Sequence, residues 1–480
     1  MGLPSCHSGE KEDHSLSHSH SYSNRRRYFY SSSASSSSSS SLSSQRSLQS
    51  VPSLSASTSH HLLDHHPQQP PPSTTTVHHQ CISTLKGHTS HVFSLIISGK
   101  HLYSGSYNDE IRVWPRNNLI PQPPNPVATT KGAAVKSLVV LGDKLFSAHQ
   151  DHKIRVWKIN NNDDSTTHQK RSYECVAILP TLNDRLLRVF SAKNYIQVRR
   201  HKSCTWVHHV DTVSALALSQ DGAHLYSASW DRTFKVWRTK DFRCVESVAG
   251  AHDDAINAVA LSKDGDVYTG SADRTIKVWR KREGERKHSL VSTLEKHRSA
   301  VNALALTTDG NVLYSGACDR SIIVWERNHS QSNGGEGEHM VVAGALRGHT
   351  KAILCLAVVD DLLISGSADK TIRIWRRTSS SSPEVDDKRS SYECLAVLEG
   401  HLKPVKCLAA AVDPNSSGSG WGWGRGRSYL SMGTGFSFFD DGFCYVDVML
   451  GPCKKDIAAV VSEYKVPPCK DVVYRGTIKV

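Results

Sequence analysis

One short phrase recurs six times between residues 102 and 375 and limits what this 480-residue chain can fold into. Each copy has an apolar stretch, a small segment of Ser, Thr, Gly or Ala, a turn that contains Asp, and an ending of the form Ile/Phe-x-Val/Ile-Trp. Apolar residues alternate with a period of two inside the phrase, which is typical of β-strands, and we find no helical period in this region. The six copies end at Trp114, Trp157, Trp237, Trp279, Trp325 and Trp375.

The spacing of these tryptophans predicts a β-propeller. Successive separations are 43, 80, 42, 46 and 50 residues, and all but one lie near the ~40–45-residue period of a four-stranded propeller blade. A single blade cannot bury both of its apolar faces, so blades stack around an axis. Six copies, with a seventh blade that begins at Gly400, predict an all-β, seven-bladed propeller over residues 80–430.

The 80-residue separation between Trp157 and Trp237 has two interpretations. It holds either a degenerate blade or an insertion, and the absence of a Gly-His phrase in residues 173–209 favours an insertion at about 171–208. The insertion contains a short basic run, residues 199–202, with Tyr195 and Trp206 nearby. Basic and aromatic residues together can bind nucleic acid or an acidic peptide, although a solvated loop is the simpler interpretation.

The two ends of the chain differ from the repeats. Residues 1–79 are rich in Ser, His and Pro, with too few apolar residues to offset the entropy cost of ordering, and we predict a disordered tail. Residues 80–86 precede the first Gly-His phrase and are expected to form the outermost strand of the last blade. Residues 431–480 lack the expected tryptophan phrase and form an atypical segment, interpreted as a degenerate end of blade seven.

Composition narrows the functional classes. Twelve cysteines are scattered with no Cys-x-x-Cys pair, so neither a zinc site nor a disulfide framework is predicted, and no cofactor is expected. No stretch approaches the ~18 apolar residues of a membrane span. We expect a reduced protein of the cytoplasm and nucleus. The net charge of +13 permits contact with nucleic acid or acidic proteins.

The phrases resemble those of the WD40 repeat family, in which a loop His, a strand Ser or Thr, a turn Asp and the strand Trp form a hydrogen-bonded network. The resemblance covers roughly residues 80–412 and implies a structural role for these residue types. No Gly-x-Ser-x-Gly nucleophile motif occurs, so we predict no enzyme. Two matching sets are predicted: His88, Ser106, Asp109 and Trp114, and His349, Ser367, Asp369 and Trp375.

A narrower resemblance involves the stretch LNDRLLRVFSAKNYIQVRRHKSCTWVHHVDTVSALALS and the SASWDRTFKVWR that follows it. These residues are similar to plant JINGUBANG-type WD40 proteins. The resemblance implies a regulatory adaptor that contacts transcription factors and controls plant growth or pollen germination.

The sequence also predicts a partner-binding face at the Gly-His loops and the Asp turns. The second residue of each inner strand and the residues beside each turn Asp are expected to point there, and Trp and Arg are common in binding hot spots. We therefore predict a protein-interaction scaffold, with a ubiquitin-ligase substrate receptor or an RNA-binding propeller as alternatives. The candidate residues are Phe93, Lys136, Trp230, Arg232, Asn257, Arg274, Asn302, Arg320 and Lys406.

Overall fold

A computed structural model describes eleven stretches of the chain. These are residues 51–54, 77–115, 128–129, 132–160, 172–189, 195–199, 202–328, 340–378, 390–412, 428–434 and 443–450. Most of the predicted N-terminal tail and C-terminal segment lie outside these residues, as do residues 200 and 201 of the basic run and the side chains of residues 199 and 202. In the described part, no helix has the length and apolar character needed to cross a membrane.

The first strand, β1 (Val77–Leu85), precedes three four-stranded antiparallel sheets. In each sheet the strands follow chain order from the inner to the outer strand. The first three sheets are β2 to β5 (Val92–Ser98, His101–Ser106, Glu110–Pro115, Ala128–Thr129), β6 to β9 (Val135–Leu141, Lys144–His149, Ile154–Asn160, Ser172–Leu179) and β12 to β15 (Val213–Leu218, His224–Ser229, Phe234–Arg238, Cys244–Val248).

Three more sheets of the same design follow. They are β16 to β19 (Ile256–Leu261, Val267–Ser271, Ile276–Arg280, Ser289–Leu294), β20 to β23 (Val301–Leu306, Val312–Ala317, Ile322–Arg327, Met340–Leu346) and β24 to β27 (Ile353–Val359, Leu362–Ser367, Ile372–Thr378, Ser391–Leu398). We number these six sheets blades 1 to 6.

The prediction of seven repeat blades was wrong in its count, because six sheets have the blade design of four consecutive strands with a tryptophan at the end of the third. A further four-stranded sheet has a different origin. It joins β28 (Val405–Val412), β29 (Ser428–Thr434) and β30 (Phe443–Leu450) to β1 from the other end of the described chain. Its third strand ends without a tryptophan, since no such phrase follows Gly400. The predicted outermost strand is present, as β1 paired with β30.

The apolar core lies between neighbouring blades. Tyr103 and Ile111 of blade 1, for example, pack with Val135 and Leu138 of blade 2. Close packing requires small residues on the second strand of several blades. A Cβ atom on Gly105 would lie 2.5 Å from a methyl group of Val135, so the missing side chain lets the next inner strand approach.

Two local features differ from the sequence predictions. Residues 182–189 form a helix, α1 (Leu182–Val189), where we predicted no helical segment, and it is followed by a hairpin of β10 (Tyr195–Arg199) and β11 (Lys202–Thr205). Residues 51–54 of the predicted disordered tail lie along blade 5. The amide of Leu54 donates to the carbonyl of Ala345 at 3.0 Å, and Leu54 packs against the cluster that contains Trp375.

Candidate functional site

Four blades contain the same buried hydrogen-bonded network. In blade 6, His349 Nδ1 lies 2.9 Å from a carboxylate oxygen of Asp369, and His349 Nε2 lies 2.9 Å from Ser365 Oγ. The indole N–H of Trp375 donates to the same Ser365 oxygen at 3.0 Å. Each polar group of the network thereby has a partner, as buried polar groups require. Blades 3, 4 and 5 repeat the network with His209, Asp231, Ser227 and Trp237; His252, Asp273, Thr269 and Trp279; and His297, Asp319, Ser315 and Trp325.

The structure corrects the serine of both predicted networks. Ser365 contacts His349, whereas Ser367 donates to the carbonyl of Ala352 at 2.9 Å and its oxygen accepts from the backbone amide of Asp369. In blade 1 the network serine is likewise Ser104, which His88 Nε2 approaches to 2.7 Å, and not Ser106.

Blade 1 also differs in its acid. His88 Nδ1 lies 3.6 Å from a carboxylate oxygen of Glu110, so Asp109 is not the network acid. Asp109 has a left-handed backbone with φ 61°, as does Arg232 with φ 68° at the same turn position of blade 3. The residue equivalent to the network aspartate is therefore Asn108. The carboxylate of Asp109 accepts a hydrogen bond from the backbone amide of Gly132 instead.

In blade 2 the histidine of the network comes from a strand and not from the loop before the inner strand. Its loop has no Gly-His phrase, and His149 at the end of β7 occupies the place of the loop histidine. His149 Nε2 lies 2.7 Å from Ser147 Oγ, which accepts from the indole of Trp157 at 2.8 Å. The turn residue Asp151 pairs with Arg155 at 2.7 Å.

Hydrogen-bonded partners lower the pKa values of the network aspartates, and burial lowers the pKa values of several histidines. Burial alone would raise the pKa of Asp231, but His209 and Thr233 hold it well below its usual value. Burial lowers the pKa of His209 despite the nearby carboxylate. These groups are fully engaged within their blades, which makes the network a structural device.

Acid should destabilise the protein before any network aspartate is protonated. Burial lowers the pKa of His149 to about 4, with Arg155 adding to the effect, and burial lowers the pKa of His401 to about 4. Because the unfolded value is about 6.5, the unfolded chain takes up protons that the folded chain does not. Stability is therefore complete above pH 6.5 and falls toward pH 4, by up to about 3 kcal/mol for each histidine.

Urea unfolding at pH 7.5 and pH 4.5 measures this loss. The variant His149→Gln should show a smaller difference in the free energy of unfolding between the two pH values than the wild type. An equal difference in both proteins would contradict the assignment of His149 as a buried neutral group.

The predicted binding face is built on a repeated irregularity in the inner strands. Each inner strand has a shift of register at its second residue, as between Val92 and Ser94 in β2. Such bulges redirect a side chain. The residues at these positions are Phe93, Lys136, Ser214, Asn257, Asn302, Leu354 and Lys406.

Three consecutive blades use this position to bind the next blade. The hydroxyl of Ser214 donates to the carbonyl of Ile256 at 2.6 Å. The side-chain amide of Asn257 donates to the carbonyl of Val301 at 2.9 Å, and that of Asn302 to the carbonyl of Ile353 at 2.8 Å. Asn257 and Asn302, predicted as partner contacts, therefore join neighbouring blades.

The sector from β28 through blade 1 to blade 2 has a different arrangement. Lys136 Nζ lies 3.8 Å from the centre of the Phe93 ring, and Lys406 Nζ lies 5.8 Å from the same centre. Lys136 Nζ is also 5.8 Å from the centre of a ring of Trp230, whose side chain is 42% exposed. These are cation–π distances. Six residues form this aromatic–lysine cluster: His91, Phe93, Tyr107, Lys136, Trp230 and Lys406.

The two lysines of the cluster are partly desolvated. Burial lowers the pKa of Lys136 to about 8, and the charge of Lys406 adds to the effect. Burial also lowers the pKa of Lys406. Their surroundings therefore disfavour the charged form of both side chains.

Sequence reasoning missed Tyr107 and His91. The Tyr107 ring lies 6.2 Å from that of Phe93 and 6.1 Å from that of His91, and Tyr107 is 53% exposed. The sequence does contain a signal for Tyr107, because Tyr107 and the predicted residue Trp230 occupy the same turn position. The amide of Tyr107 donates to the carbonyl of His91, as that of Trp230 does to Thr212.

The predicted arginines lie apart in the turns. Arg232, Arg274 and Arg320 are exposed, with φ values of 68°, 76° and 69° in the left-handed region. Their backbones shape the turn that carries the network aspartate, and their side chains extend into solvent.

Comparison with known proteins supports the repeat assignment. The family model described as WD domain, G-beta repeat matches residues 79–115, 201–238, 242–280, 288–326 and 341–376. Five segments of the chain therefore match the WD40 repeat model. WD40 propellers are generally non-catalytic scaffolds that bind other proteins, and the described residues contain no group of three or more His, Cys, Asp or Glu side chains that could hold a metal ion.

One curated relative is the probable cytosolic iron-sulfur protein assembly protein 1 of Mycosarcoma maydis. It is 32% identical over 119 residues, which are 25% of this chain and 23% of the relative. The chain thus matches about a quarter of the length of that relative.

Proposed function

We propose that this WD40 protein is a non-catalytic interaction scaffold that binds a partner protein at the aromatic–lysine cluster. One observation supports this most strongly: two aromatic side chains, Trp230 and Tyr107, are about half exposed beside lysines that are partly buried. Exposed aromatic residues beside a desolvated polar group are typical of binding hot spots.

The finer role in this proposal is regulatory. The likeness of residues 182–219 and 227–238 to plant JINGUBANG-type proteins supports contact with transcription factors, control of growth or pollen germination, and action in the cytoplasm and nucleus. A substrate receptor of a ubiquitin ligase would use the same kind of surface, so the identity of the captured proteins distinguishes the two roles.

Affinity capture from native tissue, followed by mass spectrometry, tests the proposal. We expect the double variant Phe93→Ala and Trp230→Ala to capture at least tenfold less partner protein than the wild type. The reason is that truncation of a hot-spot residue costs about 2 kcal/mol or more of binding free energy. Its melting temperature should stay near that of the wild type, since Trp230 is exposed.

A matched control is Leu290→Ala. Leu290 is 49% exposed on β19, the outer strand of blade 4, and its loss should leave capture unchanged. If the double variant retains its partners as well as this control does, the proposed surface is wrong.

A further inference from the structure

We propose that the partner segment at the aromatic–lysine cluster is acidic and places an anionic side-chain group against the ammonium group of Lys136. This inference rests on the proposed function and names the chemistry of the partner. The anionic group is a carboxylate or a phosphorylated side chain, both of which accept charge-assisted hydrogen bonds from lysine.

The surroundings of Lys136 are the first support. Among the described residues, its ammonium group has two aromatic rings as neighbours, at 3.8 Å and 5.8 Å, and Lys406 as the nearby charge that acts on it. No described carboxylate contributes to its electrostatics. A partly buried cation beside a second cation is costly, and an anion bound at Lys136 offsets that cost.

The position of the lysines in the fold is the second support. Ser214, Asn257 and Asn302 use the bulge position to bind the carbonyl of the next blade. Phe93 and Lys136 occupy the same position and contact each other instead. Phe93 of blade 1 and Lys136 of blade 2 also join neighbouring blades, but through a cation–π contact that places a cation at the bulge position.

The residues at the edges of the cluster are suited to an acidic peptide that also contains apolar residues. Tyr107 and Trp230 occupy equivalent turns of blades 1 and 3 and flank the inner strand that carries Lys136. The exposed side chain of Arg232 follows Trp230 by two residues and adds positive charge.

Binding of short labelled peptides to the full chain tests the inference. The probes are fluorescein-labelled hexaglutamate, a hexapeptide of phosphoserine, hexaglutamine and a single-stranded oligouridylate, each measured by fluorescence anisotropy at pH 7. We expect hexaglutamate or the phosphoserine peptide to bind and hexaglutamine not to bind. Lys136→Gln should weaken binding about tenfold or more, as expected for a lost charged hydrogen bond.

The matched control is Lys263→Gln. Lys263 is exposed in the turn between β16 and β17, at the end of blade 4 opposite the Asp turn, and it carries the same charge. Equal weakening by this control would show binding to overall positive charge and would overturn the inference. Preference for the phosphoserine peptide over hexaglutamate would identify the anion as a phosphate group.

Two other outcomes separate this inference from the proposed function. If neither acidic peptide binds, or if oligouridylate binds more tightly and depends on Lys136, the acidic-peptide inference fails. If partner capture is also unaffected by the Phe93→Ala and Trp230→Ala variant, the proposed function fails as well. Melting curves of each lysine variant confirm that the fold is retained.

Discussion

Trp237→Ala should cost about 3–5 kcal/mol of the free energy of unfolding, as expected when a buried aromatic side chain is removed. Trp237 is 1% exposed and belongs to the apolar cluster between blades 2 and 3, with Leu225 and Cys244. Its indole N–H also donates to Ser227 Oγ at 2.8 Å. The substitution therefore leaves a cavity and removes one member of the blade network. Urea unfolding monitored by circular dichroism measures the loss.

The same blade provides the control. Trp230 lies seven residues earlier and is 42% exposed, so Trp230→Ala should change the free energy of unfolding by less than about 1 kcal/mol. The two variants remove the same side chain from opposite environments. Similar losses in both would mean that Trp230 packs structurally, and its assignment to the binding surface would then be wrong.

The strands were accessible from sequence because each is short, alternates with a period of two and ends at a recognisable residue. The position of each tryptophan fixes the third strand, and the pairing of Leu102 with Trp114 in blade 1 recurs as Leu225 with Trp237 in blade 3. The count of blades was less accessible. The last sheet combines strands from both ends of the described chain, and its third strand has no tryptophan to mark it.

The network serine was misassigned for a geometric reason. Ser365 and Ser367 lie two residues apart on one strand, so both side chains point to the same face, and both are fully buried. The sequence contains no information on which of them lies opposite His349. Only the position of the histidine loop along the strand decides it, and that position depends on tertiary structure.

The candidate binding residues fall into two groups, those that bind the next blade and those of the cluster, for a similar reason. The rule that selects the second residue of each inner strand finds a position that the bulge directs toward one face. It cannot say which side chains reach the neighbouring blade. The short amide side chains of Asn257 and Asn302 reach a carbonyl oxygen there, whereas Lys136 and Phe93 contact each other.

Helix α1 was missed because it is eight residues long and its leucines do not form a buried stripe. Leu182, Leu186 and Leu187 are more than half exposed. The helix is fixed instead by a polar contact, in which the buried Asp184 accepts a hydrogen bond from the backbone amide of Cys244 at 2.8 Å. A single long-range contact of this kind leaves no periodic pattern in the sequence.

Asp231→Ala should be the most damaging change in the polar network, with a loss of about 3–5 kcal/mol, because it leaves a buried partner group without its counterpart. The Asp231 carboxylate is 2% exposed and lies 3.0 Å from His209 Nδ1, whose imidazole is buried. It also accepts hydrogen bonds from the backbone amides of Val210 and Thr233. Removing it therefore leaves the loop that carries His209 and the turn before β14 without their common acceptor.

Asp231→Asn separates the hydrogen bonds from the charge. Blade 1 has Asn108 at this turn position, so the amide fits the turn and can still accept from backbone N–H groups. We expect a loss of about 1–2 kcal/mol for Asp231→Asn, smaller than that for alanine. Urea unfolding of the two variants at pH 7.5 measures both losses. Equal losses would show that the charge of Asp231, and not its role as the acceptor that joins loop and turn, stabilises blade 3.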